Sequence, residues 1–274
     1  MASPKRPWII KLGGSMIDRL DQKWFDRFRV ISDGSPLIFV HGGGKAIDAL
    51  LLSLGHTPQY HRGLRITDKT TLAVVQMVLN GTVNSTIVRM MQNAGFQAVG
   101  ISGMDGGLIQ AQQTVDETLG YVGHVVSIQR ALLDTLLDHG YVPIVSPISL
   151  GLDGMPLNIN ADEVATALAT VYGARLWLFS DVPGIYITEA STGQRRIVPA
   201  LDAKSAQDMI ASGMITGGMI PKVEKSLEAL LQGVPEIFIL RGDDVEDLEK
   251  YIRGEVVGTR LVSASASSEV VGRT

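Results

Sequence analysis

Lys11 stands at the end of the apolar run Trp8-Ile9-Ile10 and is followed at once by Leu12-Gly13-Gly14-Ser15. A second such junction is Leu37-Ile38-Phe39-Val40 running into His41-Gly42-Gly43-Gly44-Lys45. Each reads as a strand that breaks into a glycine turn. Glycine lets backbone N–H groups come close to an anion, and a helix that follows adds its positive end. The chemistry this suits is phosphate binding, although either segment alone also reads as a plain tight turn. Neither fits the Walker spacing G-x-x-x-x-G-K-[ST] or the dinucleotide fingerprint G-x-G-x-x-G. A P-loop enzyme and a dinucleotide-binding domain are therefore unsupported.

A third glycine cluster is Thr216-Gly217-Gly218-Met219-Ile220-Pro221-Lys222. Here Lys222 falls in the first turn of a helix, where the dipole disfavours a cation. A solvated lysine is the ordinary reading. The glycines beside it point instead to a lysine held against an anion. In Asn158-Ile159-Asn160-Ala161-Asp162-Glu163 the two asparagines share a side of an extended segment and Asp162 opens a helix. The plain reading is an Asn160 cap, with Glu163 three residues on as in a capping box. Arg62 and Arg65 flank Gly63 in His61–Asp68, and arginine is the natural clamp for a carboxylate. In Phe179–Tyr186, Asp181 either caps a turn or takes a sugar hydroxyl.

Other chemistries are excluded or unsupported. The chain has no cysteine, so disulfides, thiolate metal sites and cysteine nucleophiles are ruled out. The five histidines (41, 56, 61, 124 and 139) lack metal-binding spacing, and no metal cage is expected. There is no G-x-S-x-G elbow. With a net charge of −4 and no basic run, a nucleic-acid partner is not expected. No stretch approaches the ~18 uncharged apolar residues of a membrane helix, and the apolar run before Lys11 is too short for a signal-peptide core. The default is a cytoplasmic protein without a membrane partner.

The elements that must hold these residues alternate along the chain. Strands are expected at Trp8–Lys11, Leu37–Val40, Ala98–Ile101, Tyr141–Val145, Arg175–Phe179 and Glu236–Leu240. Helices are expected at Ala131–Leu137, with Ser127 as cap and Gly140 as stop, at Asp162–Tyr172, and at Pro221–Leu231, with proline at the first position. Strands alternating with helices of this length imply βαβ units. The fold class expected is α/β, a three-layer αβα sandwich with a mostly parallel central sheet. Thr70–Ala94 reads as one long helix, interrupted near Gly81. Its apolar residues cover more than one stripe, so it is either deeply buried or pairs with a copy of itself. The segment from Ser263 is small and polar and reads as an appendage.

Taken in order, these segments resemble the amino acid kinase family. The resemblance runs through IIKLGGS, VHGGGK, GLRITD, AVGISGMDGGLI, GYVGHV, GYVPIVSPI, NINADEVATALA, FSDVPGIY, TGGMIPKV and GTRL, over about residues 8–261. Singly most of these motifs are weak; ten in register are strong. The resemblance implies transfer of the γ-phosphoryl group of ATP, with Mg²⁺, to a carboxylate, carbamate or phosphate oxygen. The branch most resembled acts on the γ-carboxylate of N-acetyl-L-glutamate in arginine biosynthesis. It also implies roles. Lys11 and Lys222 neutralise the phosphoryl group in transit, and Asp162 orients both. Gly13, Gly14, Gly43 and Gly44 supply backbone donors. Arg65 and Asn158 grip the α-carboxylate and amide end of the substrate, with Asn160 beside them. Asp181, Gly184, Gly217 and Gly218 belong to the nucleotide site. An amino-terminal lobe, residues 1–178, is implied to bind the amino acid and to dimerise, and a carboxyl-terminal lobe, residues 179–274, to bind ATP. No side chain is expected to be a dedicated metal ligand, because Mg²⁺ in such sites keeps phosphate oxygens and water.

The physics of the reaction agrees. Transfer to a carboxylate brings two anions together, so repulsion is the main obstacle. The acceptor is already a nucleophile and needs no general base, and catalysis reduces to positioning and charge stabilisation. Arginine-inhibited members resemble one another in an extra amino-terminal helix, which the first strand near Pro7 leaves no room for. The expectation is a homodimer without strong arginine feedback. Two rivals are an aminoadipate kinase of the lysine pathway acting on a carrier-bound substrate, and a non-catalytic amino-acid-binding regulator. Arg65 weighs against the first, and the presence of Lys11, Asp162 and Lys222 together against the second.

Overall fold

In the computed structural model, residues 5–32, 34–188, 194–215, 219–242 and 245–262 are described. Gly217, Gly218 and the appendage from Ser263 lie outside them. The first half of the chain comprises β1 (Trp8–Leu12), α1 (Gln22–Ile31), β2 (Leu37–His41), α2 (Gly44–Ser53), the short hairpin β3 (Tyr60–His61) and β4 (Leu64–Arg65), α3 (Lys69–Gln76), α4 (Asn84–Asn93), β5 (Ala98–Ser102), β6 (Ile109–Gln113), β7 (Val122–Ile128) and α5 (Ala131–Asp138). Then follow β8 (Val142–Ser146), β9 (Ile148–Gly151), β10 (Pro156–Ile159), α6 (Ala161–Tyr172), β11 (Arg175–Ser180), β12 (Tyr186–Thr188), β13 (Arg195–Ile197), β14 (Ala200–Asp202), α7 (Ala203–Ala211), α8 (Met219–Leu231), β15 (Glu236–Arg241), α9 (Val245–Ile252) and β16 (Thr259–Val262).

Eight strands make the central sheet in the order β14-β16-β15-β11-β1-β2-β8-β5, and only the β15–β16 pair is antiparallel. All six strands read from the sequence lie in it. β1 and β2 bury nearly every residue, as strands of a parallel sheet covered on both faces must. Side chains alternate across the sheet. Ile9, Ile38, Val40, Leu176 and Leu178 pack beneath α6 and α8, whereas Trp8, Ile10, Leu12, Phe39, Trp177 and Phe238 pack on the other face, with α1, α4 and α9. Lys11 therefore shares the face of Ile9 and emerges towards α6. Strands β6, β7, β9 and β10 close into a separate small ring. The expected lobe boundary at 178/179 falls inside β11, which bonds β1 on one side and β15 on the other. The two halves thus share one sheet.

The long helix spans Lys69–Asn93 and is not uniform: Met77–Val83, which includes Gly81, is π-helical between α3 and α4. Leu72, Val75, Val78, Leu79, Val83, Ile87 and Met91 are all buried within the single chain, whereas Met77 is exposed, so most of these apolar residues serve the monomer's own core. By length and composition this helix passes the test for a membrane crossing, but 44% of its most apolar window is buried inside the fold. Its π-helical turn sets Leu79 against Gly43, where a Cβ would come within 2.6 Å of Leu79 Cδ2.

Two local expectations differ. β7 runs on to Ile128, so Ser127 is a strand residue and α5 begins after Arg130 without a side-chain cap. Glu163 does not close a capping box: Oε1 accepts from the Val125 N–H at 2.7 Å and Oε2 lies 3.2 Å from His124 Nδ1. The α6 start is thereby tied to β7.

Candidate active site

Parallel strands present their carboxyl ends to ligands, and β1, β2 and β11 end side by side in Gly13, Gly42 and Asp181. The two glycine turns touch. A Cβ on Gly14 would stand 2.7 Å from the amide nitrogens of both Gly43 and Gly44. Gly13 is tied to β11 by its N–H, which donates to the Phe179 carbonyl at 3.0 Å. Among the described residues, the amides of Gly14, Gly43 and Gly44 have no protein acceptor. Gly44 also opens α2, so these free donors and a helix N-terminus lie together, as an anion site requires.

Beside them opens a cavity of about 600 Å³, lined by Lys11, Asp162, Ser180, Lys222 and Lys225 among others. Lys11 reaches it from the end of β1, and Asp162 from the first turn of α6, whose cap is the Asn160 side chain accepting from the Asp162 N–H at 2.8 Å. Lys11 Nζ and Asp162 Oδ1 are 2.9 Å apart. Lys222, the fourth residue of α8, donates from Nζ to Ser180 Oγ at 2.8 Å, and among the described residues it has no carboxylate at ion-pair distance. Asp162 thus contacts one lysine, and Ser180 holds the other. Burial pushes the Asp162 carboxyl up, but Lys11, Lys222 and Lys225 together reverse this and hold it below its ordinary value. Burial lowers the Lys222 ammonium, opposed by Asp162 and Asp181 and reinforced by Lys11. Three lysines thus act on the Asp162 carboxylate, while Glu163 and Glu228 also line the cavity.

On the other side of the glycine turns, Arg65 is buried and donates from Nη2 to the Gly44 carbonyl at 3.2 Å. Asn158 Nδ2 donates to Thr67 Oγ1 at 3.2 Å, and Thr67 Oγ1 donates to the Arg65 carbonyl at 2.8 Å. The structure therefore joins Arg65, Asn158, Gly43 and Gly44 into one neighbourhood next to Lys11. Asp181 is exposed beyond Ser180 and within electrostatic reach of Lys222. Gly184 is packed against the start of β16, its missing Cβ 2.8 Å from Thr259 Oγ1. Asn160 Oδ1 is engaged by the cap.

The profile of the amino acid kinase family matches residues 6–241. The acetylglutamate kinase of Geobacillus kaustophilus is 42% identical over 236 residues, 85% of this chain and 89% of that one. The chain belongs to the amino acid kinase family. The acetylglutamate kinase of Brevibacillus brevis is 40% identical over 256 residues, 92% of this chain and 96% of its own. Among solved structures, the smu.665 protein of Streptococcus mutans has a TM-score of 0.78 at 28% identity, covering 93% of this chain and 98% of that one. The sandwich with its mostly parallel central sheet is thus that of an amino acid kinase.

Several residues beside this amino acid kinase site escaped the sequence reading. Ser180 follows directly on the expected strand Arg175–Phe179 and carries no signal of its own. Lys225 lies one helical turn after Lys222, a spacing that i,i+3 adjacency would have flagged. His41 is fully buried behind the second glycine turn, its Nδ1 3.0 Å from the Gly42 carbonyl and its Nε2 3.1 Å from Asn84 Nδ2. Asn84 Nδ2 can only donate, which assigns the Nδ1–H tautomer to a neutral ring. Gly100 makes room for Asn84, since a Cβ there would overlap its Oδ1. No sequence signal marks this triple.

Burial pushes the His41 pKa down from 6.5 to about 4, with the Gly42 carbonyl partly opposing. The unfolded chain therefore binds the extra proton between these values. His41 contributes stability that is full above pH 6.5 and is lost as the pH falls towards 4, up to about 3 kcal/mol. Urea midpoints measured from pH 7.5 to 4.5 should fall across that window, and less so in His41→Gln. Parallel profiles for the two proteins would remove His41 as the cause.

Proposed function

We infer that this protein transfers the γ-phosphoryl group of ATP to the γ-carboxylate of N-acetyl-L-glutamate, giving N-acetyl-glutamyl 5-phosphate and ADP, in arginine biosynthesis. The observation that carries the reading is the meeting of Lys11 and Lys222, more than 200 residues apart in sequence, at one cavity beside unpaired glycine amides. The high identity to acetylglutamate kinases along most of the chain supports the choice of acceptor.

The acceptor carboxylate needs no base, so the side chains in the cavity serve charge and position. Lys11, fixed by Asp162, faces one side of the transferring group. Lys222, resting on Ser180, faces it from the carboxyl-terminal side. The amides of Gly14, Gly43 and Gly44 receive the phosphoryl and acyl-phosphate oxygens, and Arg65 with Asn158 holds the α-carboxylate end. The donor set fits a polyphosphate: three lysines act together on Asp162, and beside them stand N–H groups that have no protein acceptor among the described residues. Mg²⁺ arriving with ATP would supply further positive charge to the phosphoryl group, with Asp181 on the nucleotide side. In this reading residues 1–178 hold the amino acid and 179–274 the nucleotide, the protein is cytoplasmic, and it acts as a homodimer with neither nucleic-acid nor membrane partners. Light scattering should then report twice the 29.4 kDa chain mass.

An ADP-release assay with N-acetyl-L-glutamate, glutamate, aspartate and free or carrier-bound aminoadipate tests the reading. Turnover should be highest with N-acetyl-L-glutamate. Preference for any of the others would replace the assigned acceptor, and silence with all of them would return the chain to a binding role.

A further inference from the structure

The β3–β4 hairpin carries a closed ring of hydrogen bonds around Arg65. Tyr60 and Arg65 are cross-strand partners in this hairpin. Arg65 Nη1 donates to Asp48 Oδ1 at 2.7 Å, and Nη2 donates to the Tyr60 hydroxyl at 2.6 Å. The same hydroxyl lies 3.0 Å from Oδ1 and 3.0 Å from Oδ2 of Asp48, so its single proton is shared between both carboxylate oxygens. The guanidinium carbon also stands 4.8 Å from the centre of the Tyr60 ring. Asp48 and the Gly44 carbonyl from α2 and Tyr60 from β3 thus fix the one arginine of β4.

This arrangement has a consequence for charge. A carboxylate beside an arginine normally takes both arms of the fork. Asp48, left alone with Arg65, would do so and cancel the charge that a ligand carboxylate needs. The Tyr60 hydroxyl prevents it in two ways. It occupies both Asp48 oxygens with its own proton, and it accepts the second arm itself. Asp48 therefore receives a single Arg65 N–H. Among the described residues, Nε–H and one Nη1–H of Arg65 keep no protein acceptor and remain for a ligand. Burial and Asp48 push the phenol's pKa up against the influence of Arg65, so the proton stays on oxygen at working pH.

We propose that Tyr60 is a positioning residue that keeps Arg65 from closing onto Asp48 and so holds it open for the α-carboxylate of the acylated amino acid. The proposal rests on the reading of Arg65 as the carboxylate clamp. Its ring is half-exposed, so removing the hydroxyl alone leaves packing intact.

The test is steady-state kinetics on the unaltered protein, Tyr60→Phe, and Tyr60→Phe combined with Asp48→Asn. Tyr60→Phe keeps the ring and should raise KM for N-acetyl-L-glutamate by roughly 10-fold, as expected for a lost hydrogen bond to a charged group, while kcat and KM for ATP stay within about twofold. Adding Asp48→Asn removes the competing charge and should bring KM most of the way back, which a merely structural role for Tyr60 would not do. An unchanged KM in Tyr60→Phe, an equal rise in KM for ATP, or no recovery in the double variant would overturn the proposal and leave the kinase reading standing. No turnover of N-acetyl-L-glutamate by the unaltered protein would overturn the kinase reading itself, and this role with it.

Discussion

Lys222→Ala and Lys11→Ala should each lower kcat by about 10² or more while the far-ultraviolet circular dichroism stays that of the unaltered protein. That magnitude is typical for loss of one preorganised electrostatic stabiliser. Each lysine brings a full positive charge to a site where two anions must approach. Lys11 is 13% exposed at the side chain and Lys222 is largely enclosed, so water replaces neither charge well. The two variants should differ in how they fail. Lys11→Ala removes the partner 2.9 Å from Asp162 and lets that carboxyl rise towards its ordinary range. Lys222→Ala leaves the Lys11–Asp162 pair untouched. Acid loss of activity should therefore move to higher pH in Lys11→Ala, and by less in Lys222→Ala, whose lysine acts on Asp162 without contacting it. Near-normal turnover by either variant would end the role assigned to that lysine.

Gly14→Ala should cost as much activity by a different route. The new methyl would sit 2.7 Å from the backbone nitrogens of Gly43 and Gly44, and backbone cannot swing aside as the end of a side chain can. The two turns must part by several tenths of an ångström or more. Overpacking of this kind destabilises by about 1–3 kcal/mol, and misplacing groups by 1 Å at a reacting centre can cost about 10²-fold in rate. The control is Gly44→Ala. Its Cβ would meet nothing within 4 Å, and alanine suits a helix better than glycine, so its unfolding midpoint should stay level or rise slightly. Equal thermal midpoints for the two variants would show that the Gly14–Gly43 contact is not tight in solution.

Most of this arrangement was legible in the sequence for reasons that can be named. Short β-branched runs ending in glycine can only be buried parallel strands with loops at their carboxyl ends, and all six expected strands joined the sheet. Long-range neighbours were harder. Ser180 is one of many serines, and its contact with Lys222 depends on how α8 lies against β11. Glu163 has the spacing of a capping residue, yet the Val125 amide outcompetes the backbone of Asn160 because β7 runs alongside α6. The helix from Lys69 to Asn93 carried two possible meanings, and only its packing showed that most of its large apolar residues are buried in one chain while Met77 stays exposed.

From the order of residues alone came the alternation of strands and helices, the family, and the identities of Lys11, Asp162, Lys222 and Arg65. The alternation follows from local patterns, because hydrophobic periodicity and turn chemistry act over a few residues, whereas the family and the roles of those residues rest on the resemblance of ten motifs in register. The folded chain supplied the pairings: Lys11 with Asp162, Lys222 with Ser180, Gly14 against Gly43 and Gly44, and Arg65 shared between Asp48 and Tyr60. Such contacts arise between segments up to 150 or so residues apart. They depend on how helices settle on a common sheet, which no local pattern encodes.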